Sequence, residues 1–384
     1  MKHITYKIVL RFQYILLLAS YALLKPFVKK ESDTWVIGVE EIATVLINMA
    51  NALPNSVSVN LFEHRFYNFT YNYSMRANRG FKLFKLVVLS PLLLAYLSAK
   101  YDKFIYIGAG GFLLSVVDAR ELEFSFLNKR NKKIVCYFAG SEIRSFKLLE
   151  EYGVLHEMDV AVNYQRFVDP DLASDSREAF RKRLAEVSEI YSDVIFNPAV
   201  DQMAYFQRPT HSCLYFCPES LFNKNSEKFI NIKRVKIVHA PSSPIPKGTP
   251  LVRAAIKKLK MEGYEFDYVE LTDMPHERII AELRDAHIVL NQFYCFIPSI
   301  FGMEALASHT VMLTSADEFI ETSLEKGSNT AWCVTPYWMV YDNLKRYLDK
   351  PEDLQTQADR GFDWCKEHYS INAGRTKLLN ILEA

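Results

Sequence analysis

Lys247 stands beside Gly248 at the start of a helix punctuated by Thr249 as N-cap and Pro250 at the first helical position, with Gly263 just past the end. A lysine at that place adds a point charge to the partial positive charge of a helix N-terminus, a combination suited to an anionic ligand. Glu304 opens a short, otherwise apolar helix around Gly302 to Ala307. A carboxylate there is stabilised as the anion and can accept from two vicinal hydroxyls, although a plain helix-capping role fits as well. In the first half of the chain, Gly140, Ser141, Glu142 and Arg144 follow the apolar run Lys133 to Phe138. Polar groups so placed lie at the carboxyl edge of a sheet, where open α/β folds bind ligands; alternatively Glu142 and Arg144 pair with each other. A glycine-rich turn, Gly108 to Gly111, precedes a helix expected from Phe112 to about Leu127. Gly110 and Gly111 either serve the tight turn alone or bring backbone N–H groups to a phosphate or an acceptor. Gly38 sits where the first strand becomes loop, another place for close approach.

These residues need strands that end at one edge. In the first half, strands are expected at Thr34 to Val39, Val57 to Phe62, Asp102 to Ile107, Lys133 to Phe138, Asp193 to Phe196 and Cys213 to Phe216. In the second, Val235 to His239, Phe266 to Leu271, His287 to Leu290 and Val311 to Thr314 alternate with helical periods and show no hairpin signal, which argues a parallel sheet with right-handed crossovers. A chain of 384 residues exceeds what one core supports, so two domains are expected. The fold class is α/β, with two Rossmann-like domains facing across a cleft and the active site within it. The expected division is a basic apolar helix at 1–30, a first domain at 31–217, and a polar, asparagine-rich linker at 218–232. A second domain follows at 233–365, and a C-terminal helix at 366–384 packs back on the first. Residues 63–80 are aromatic and polar without a period and are expected to form an irregular loop.

Lys plus Arg number 46 against 45 Asp plus Glu, so no global field favours nucleic acid. The six cysteines are scattered, and Cys213 with Cys217 is too isolated for a zinc site; no metal or cofactor is expected, and reduced, buried thiols fit a cytoplasmic protein. Lys2, Lys7 and Arg11 precede the apolar run Phe12 to Leu24, Lys25, Lys29 and Lys30 follow it, and no acidic residue occurs before Glu31. The run is short of the roughly 20 residues that span a bilayer. It reads as a helix on an anionic membrane surface or as one packed on the first domain. Lys82 and Lys85 lead into a second such run, Leu86 to Leu97, either a core helix kinked at Pro91 or a second membrane element. The expected location is cytoplasmic, peripheral at the inner face of the membrane.

The second half resembles the nucleotide-binding half of retaining glycosyltransferases of the B-type fold, the large group called glycosyltransferase family four. Three pieces carry the likeness: Val238 to Ser242 with Lys247-Gly248-Thr249; Met274 to Glu277; and Asn291-Gln292 followed by Phe301 to Ala307. Tyr137 to Arg144 resembles the acceptor half. The resemblance implies a hexosyltransferase that moves a sugar, with retention, from a nucleotide-sugar to a lipid-linked or surface-glycan acceptor in polysaccharide or glycoconjugate biosynthesis. By the same likeness Lys247, Gly248 and the region of Ser299 hold the diphosphate, and Glu304 anchors the ribose. The loop ending at His276 borders the base, and Gln292 and Gly302 complete the donor side. Gly140, Ser141, Glu142 and Arg144 lie at the reacting centre, and Gly38, Gly110 and Gly111 on the acceptor side. Several positions depart from the pattern: Phe296 replaces the first of the family's two glutamates, Ala139 a common histidine, the loop Ser242-Ser243-Pro244 lacks the arginine that commonly accompanies the lysine, and His287 and Asn291 stand where acidic residues are common. They leave open a nucleotide-sugar epimerase of related fold, or an inactive glycosyltransferase-like assembly subunit.

Overall fold

Eleven short strands among the described residues build two parallel sheets in this computed structural model, which describes residues 2–62, 69–75 and 81–383. β1 (Glu31–Gly38), β2 (Ser56–Asn60), β3 (Tyr73–Ser74), β4 (Tyr101–Ile107), β5 (Lys133–Tyr137) and β6 (Val194–Phe196) lie in the order β3-β2-β1-β4-β5-β6. β7 (Val235–His239), β8 (Phe266–Glu270), β9 (Ile288–Leu290), β10 (Val311–Thr314) and β11 (Cys333–Val334) lie in the order β11-β10-β9-β7-β8. Helices cover both faces, which is why β9 and β10 are buried along their whole length and read as unbroken apolar or β-branched runs. In each sheet the strand order reverses once, between β1 and β4 in the first and between β7 and β9 in the second. Crevices therefore open beyond Gly38 and Ile107 on one side and beyond His239 and Leu290 on the other.

Several local expectations are corrected. Cys213 to Phe216 is buried but forms no strand; its flanks touch the sheet and the C-terminus only through single bridges, Phe196 with His211 and Cys217 with Ser370. The segment crosses from the edge of the first sheet to the last helix, and burial there mimics a strand pattern. The helix expected from Phe112 begins only at Glu121, because the N–H groups of Phe112 and Leu113 donate to the carboxylate of Glu123, at 3.1 and 2.9 Å. Gly248, at φ 80°, takes the N-cap place, and Thr249 is the first residue of helix Thr249–Met261. Of the loop expected at 63–80, residues 63–68 and 76–80 lie outside the described residues, and Tyr73–Ser74 pairs with β2.

The N-terminal helix runs from Lys2 to Leu24, longer than its 13-residue apolar run, and places Leu10, Gln13, Leu17, Ser20 and Tyr21 against the first domain. Gln13 fastens it: its Oε1 accepts from Leu114 N and its Nε2 donates to Leu86 O, both at 2.9 Å. The second apolar run forms helix Lys82–Phe84, a π turn at Lys85–Leu89 and helix Ser90–Lys100. The wider turn comes just before Pro91, which has no N–H to give, so the rod stays helical through the proline.

The domains are joined on both sides. Helix Asp353–Tyr369 runs through the boundary expected at 365/366, and the chain returns to the first domain at Ser370. Helix Ile371–Glu383 then packs Leu378 and Leu382 into the core with Ile37, Val45 and Met49. From the second domain, Glu321 accepts from the N–H groups of Ala199, Val200 and Asp201 at 2.9, 2.8 and 2.6 Å.

Candidate functional site

The second sheet gathers four polar elements at its crevice. His239, the last residue of β7, lies fully buried between Leu290 O, 2.7 Å from Nδ1, and Thr249 Oγ1, 2.9 Å from Nε2. A carbonyl can only accept, so Nδ1 carries the hydrogen and Nε2 accepts from the threonine hydroxyl. Burial pushes the imidazole down to about 4, keeping it neutral. This neutral clamp fixes the first turn of helix Thr249–Met261. Lys247 precedes that turn, half-buried, with no ion pair among the described residues; burial lowers its pKa, while Cys295 and Glu304 oppose the shift. Glycine is favoured at position 248 on two counts: its φ of 80°, and a Cβ that would stand 3.2 Å from Phe293 Cβ.

Helix Ser299–Ala307 supplies the facing wall. Its N-terminus receives no side-chain cap, and Ser299 has φ 60° with its hydroxyl 3.3 Å from Asn291 Oδ1. Asn291 also donates to Pro298 O at 2.5 Å, so it holds both residues that open the helix. Glu304 lies beyond the middle of this helix, correcting its expected place at the start. Its partner is therefore not the helix N-terminus but His276, first residue of helix His276–Arg284, with Nε2 2.7 Å from Glu304 Oε1. The hydrogen bond to Glu304 raises the pKa of His276 against its partial burial. One carboxylate oxygen of Glu304 is thus oriented, and the other has no hydrogen bond among the described residues. Gln292 turns inward and ties the base of the 292–297 loop through Ile297 O, at 2.6 Å.

At the first sheet's crevice lies a cavity of about 630 Å³ whose lining includes Glu40, Gly110, Ser141, Glu142 and Arg177. Glu142 does not pair with Arg144; its Oε1 accepts from Ala139 N at 2.6 Å, which holds the strand-to-helix turn at Gly140 and Ser141. Glu40 follows β1, and a Cβ on Gly108 or Gly110 would stand 3.3 or 3.4 Å from its Oε2. Those glycines leave space for a carboxylate. Burial, and then the charge of Glu142, raise the pKa of Glu40. Glu40 was not among the residues singled out from sequence; its signal was a charged pair, Glu40-Glu41, placed directly after a buried strand. Glu41 serves the fold, capping helix Val45–Ala52 by accepting from Leu46 N and Ile47 N at 3.0 and 3.1 Å.

Other expected site residues turn inward. Arg144 is buried and paired with Asp201, its Nε 2.6 Å from the backbone oxygen and its Nη2 2.6 Å from Oδ2, so it braces the site rather than lining it. Gly38 lets β1 approach β2, since a Cβ there would meet Val59 O at 2.8 Å. Gly111 makes room for Glu123, and Gly302 for Met312 and Asn291, with Cβ distances of 2.7, 2.7 and 2.8 Å. Glu123 and Glu41 thus occupy the N–H groups of Phe112, Leu113, Leu46 and Ile47 in the turns after β4 and β1. In the second domain Lys247, without an ion pair among the described residues, directly precedes the uncapped start of helix Thr249–Met261. Phe296 is buried against Phe146, Leu149 and Val162 of the first domain. The two crevices share one field: Lys247 and Arg144 both act on the half-buried thiol of Cys295, and Glu142 acts on both Arg144 and Glu40.

No family model and no curated protein matches the sequence. The fold does have solved counterparts. Sucrose-phosphate synthase from Thermosynechococcus elongatus superposes with a TM-score of 0.58 at 12% identity, over 91% of this chain and 98% of that one. An alpha-glucosyltransferase in complex with UDP-glucose and DNA containing an abasic site superposes with a TM-score of 0.51 at 10% identity, again over 91% and 98% of the two chains. The chain has the two-domain α/β fold of the B-type glycosyltransferases, with an apolar N-terminal helix added.

Proposed function

We propose that this protein transfers a sugar, with retention, from a nucleotide-sugar bound on the second domain to a hydroxyl of a lipid-linked or glycan acceptor bound on the first. The observation that carries the reading is Lys247, a cation with no ion pair among the described residues, set just before the uncapped start of helix Thr249–Met261 and within the field of Glu304 on helix Ser299–Ala307. Such a set suits a diphosphate flanked by a ribose: Lys247 and the Ser299 N–H group hold the phosphates, and the free oxygen of Glu304 accepts from ribose hydroxyls. Support also comes from the alpha-glucosyltransferase of the same fold, which was solved with UDP-glucose.

In the transfer, the bond between the anomeric carbon and the diphosphate oxygen breaks. A bond from that carbon to the acceptor oxygen forms on the same face. The acceptor proton passes to the departing diphosphate, whose growing charge Lys247 offsets. Glu40 and Glu142 orient the acceptor hydroxyls in the cavity of the first domain. Work at the cytoplasmic face in polysaccharide or glycoconjugate assembly fits the acceptor class.

The test is turnover of a panel of labelled nucleotide-sugars by the purified chain with membrane extract. Label should move to the lipid or glycan fraction with release of nucleoside diphosphate, and Lys247→Ala should abolish it. An isomerised sugar nucleotide instead would mark an epimerase. No turnover together with tight acceptor binding would mark a binding subunit, a reading that the burial of Phe296 at the family's glutamate position favours.

A further inference from the structure

The N-terminal helix is apolar on two sides. Leu10, Gln13, Leu17, Ser20 and Tyr21 recur at helical spacing and are buried. On the opposite side Ile4, Ile8, Phe12 and Ile15, spaced for one face, are 65, 62, 49 and 65% exposed. Beside it the start of the second rod exposes Phe81, Leu83 and Phe84 at 66, 75 and 50%. Gln13 bonds both to Leu86 of that rod and to Leu114 of the loop that follows the glycine turn. Two residues on, Val116 is 61% exposed and lines the mouth of the acceptor cavity with Ser115. A continuous apolar margin therefore runs from the two helices to the cavity.

The charges on the two helices have one sign. Lys7, Arg11, Lys25, Lys29 and Lys82 are exposed, and no acidic residue occurs from Lys2 to Lys30 or from Phe81 to Lys100. That pattern selects the occupant. A second copy of the chain would meet the same patch about a two-fold axis and bring these cations against one another. An anionic bilayer surface complements them and takes the apolar side chains into its interface. Both helices are long and apolar enough to cross a membrane, 21 and 19 residues with mean hydropathy 1.5 and 1.6. Each nevertheless gives a stripe to the first-domain core, including Leu10, Leu17, Leu94 and Leu97, which crossing would strip away.

We propose that the N-terminal helix and the start of the Lys82–Lys100 rod form a face that lies flat on anionic lipid and presents the acceptor cavity to the membrane surface through Val116. The docking face stands on its own observations; only the statement that an acceptor enters there rests on the transfer reading.

The experiment is flotation of the full chain with vesicles of phosphatidylcholine alone or mixed with phosphatidylglycerol, with no nucleotide-sugar present. The wild-type chain should float with the anionic vesicles and remain behind with the neutral ones. Ile8→Asp with Ile15→Asp, both on the exposed face, should lower the bound fraction about tenfold or more with an unchanged melting temperature, and Lys7→Glu with Arg11→Glu should do likewise. Lys247→Ala should float as wild type does, which separates failure of docking from failure of the transfer reading. Unaltered flotation of the Ile8/Ile15 variant would overturn the proposal. So would a wild-type dimer that this variant converts to monomer without any vesicle binding.

Discussion

Asp201 holds the backbone N–H of Phe296 with one carboxylate oxygen and the guanidinium of Arg144 with the other, each at 2.6 Å. Phe296 belongs to the second domain and Arg144 to the first, so one buried carboxylate fixes the floor of the cleft. Asp201→Ala would leave a buried, unpaired guanidinium and an orphaned N–H. The expected loss is about 3–5 kcal/mol, read from urea unfolding monitored by fluorescence. Arg144→Met with Asp201→Leu should recover much of it, because removing both charges also removes the uncompensated one.

That contact also marks how far the sequence is legible. Ile288 to Leu290 and Val311 to Thr314 were readable as strand because a sheet covered on both faces demands unbroken apolar or β-branched runs. Lys247 and Gly248 were readable because helix starts carry local punctuation. Cys213 to Phe216 misled, since packing against the C-terminal helix leaves the same apolar run as a ladder does. Asp201, Glu321 and the inward turn of Arg144 were not readable: their partners lie between 57 and 122 positions away, and local pattern carries no sign of them. Glu304 was recognisable as a residue but not in its setting, because His276 reaches it from another helix.

The His276–Glu304 pair should make stability depend on pH. Its bond to Glu304 raises the pKa of His276, so the folded state holds that proton more firmly than the unfolded chain does. The stabilisation is fully present below the unfolded value of about 6.5 and is lost as pH rises through the raised folded value. His276→Gln keeps a hydrogen bond but no titration. The melting-temperature gap between wild type and this variant should therefore narrow as pH rises from below about 6.5 through the raised folded value.

Glu40 should matter to the acceptor and not to the donor. Glu40→Gln removes a charged acceptor of hydrogen bonds from the cavity of the first domain. Acceptor kcat/KM should fall about tenfold to a hundredfold, as expected for a lost charged hydrogen bond, with nucleotide affinity unchanged. Equal losses on both substrates would move Glu40 out of the acceptor site.

Gly302 should tolerate no side chain. A Cβ there would stand 2.7 Å from Met312 Sδ and 2.8 Å from Asn291 Nδ2. Gly302→Ala should cost about 1–3 kcal/mol in urea unfolding and weaken nucleotide binding, because Asn291 would lose its hold on Pro298 and Ser299.

The central claim is that the crevice of the second domain binds a nucleoside diphosphate through Lys247. Titration calorimetry of the wild-type chain and of Lys247→Ala with uridine, guanosine and adenosine diphosphates tests it most directly. The wild type should bind one of them, and Lys247→Ala should bind that nucleotide about tenfold to a hundredfold more weakly, the loss expected for one charge-assisted contact. Equal affinity in the two proteins, or no binding of any of the three by the wild type, would contradict it.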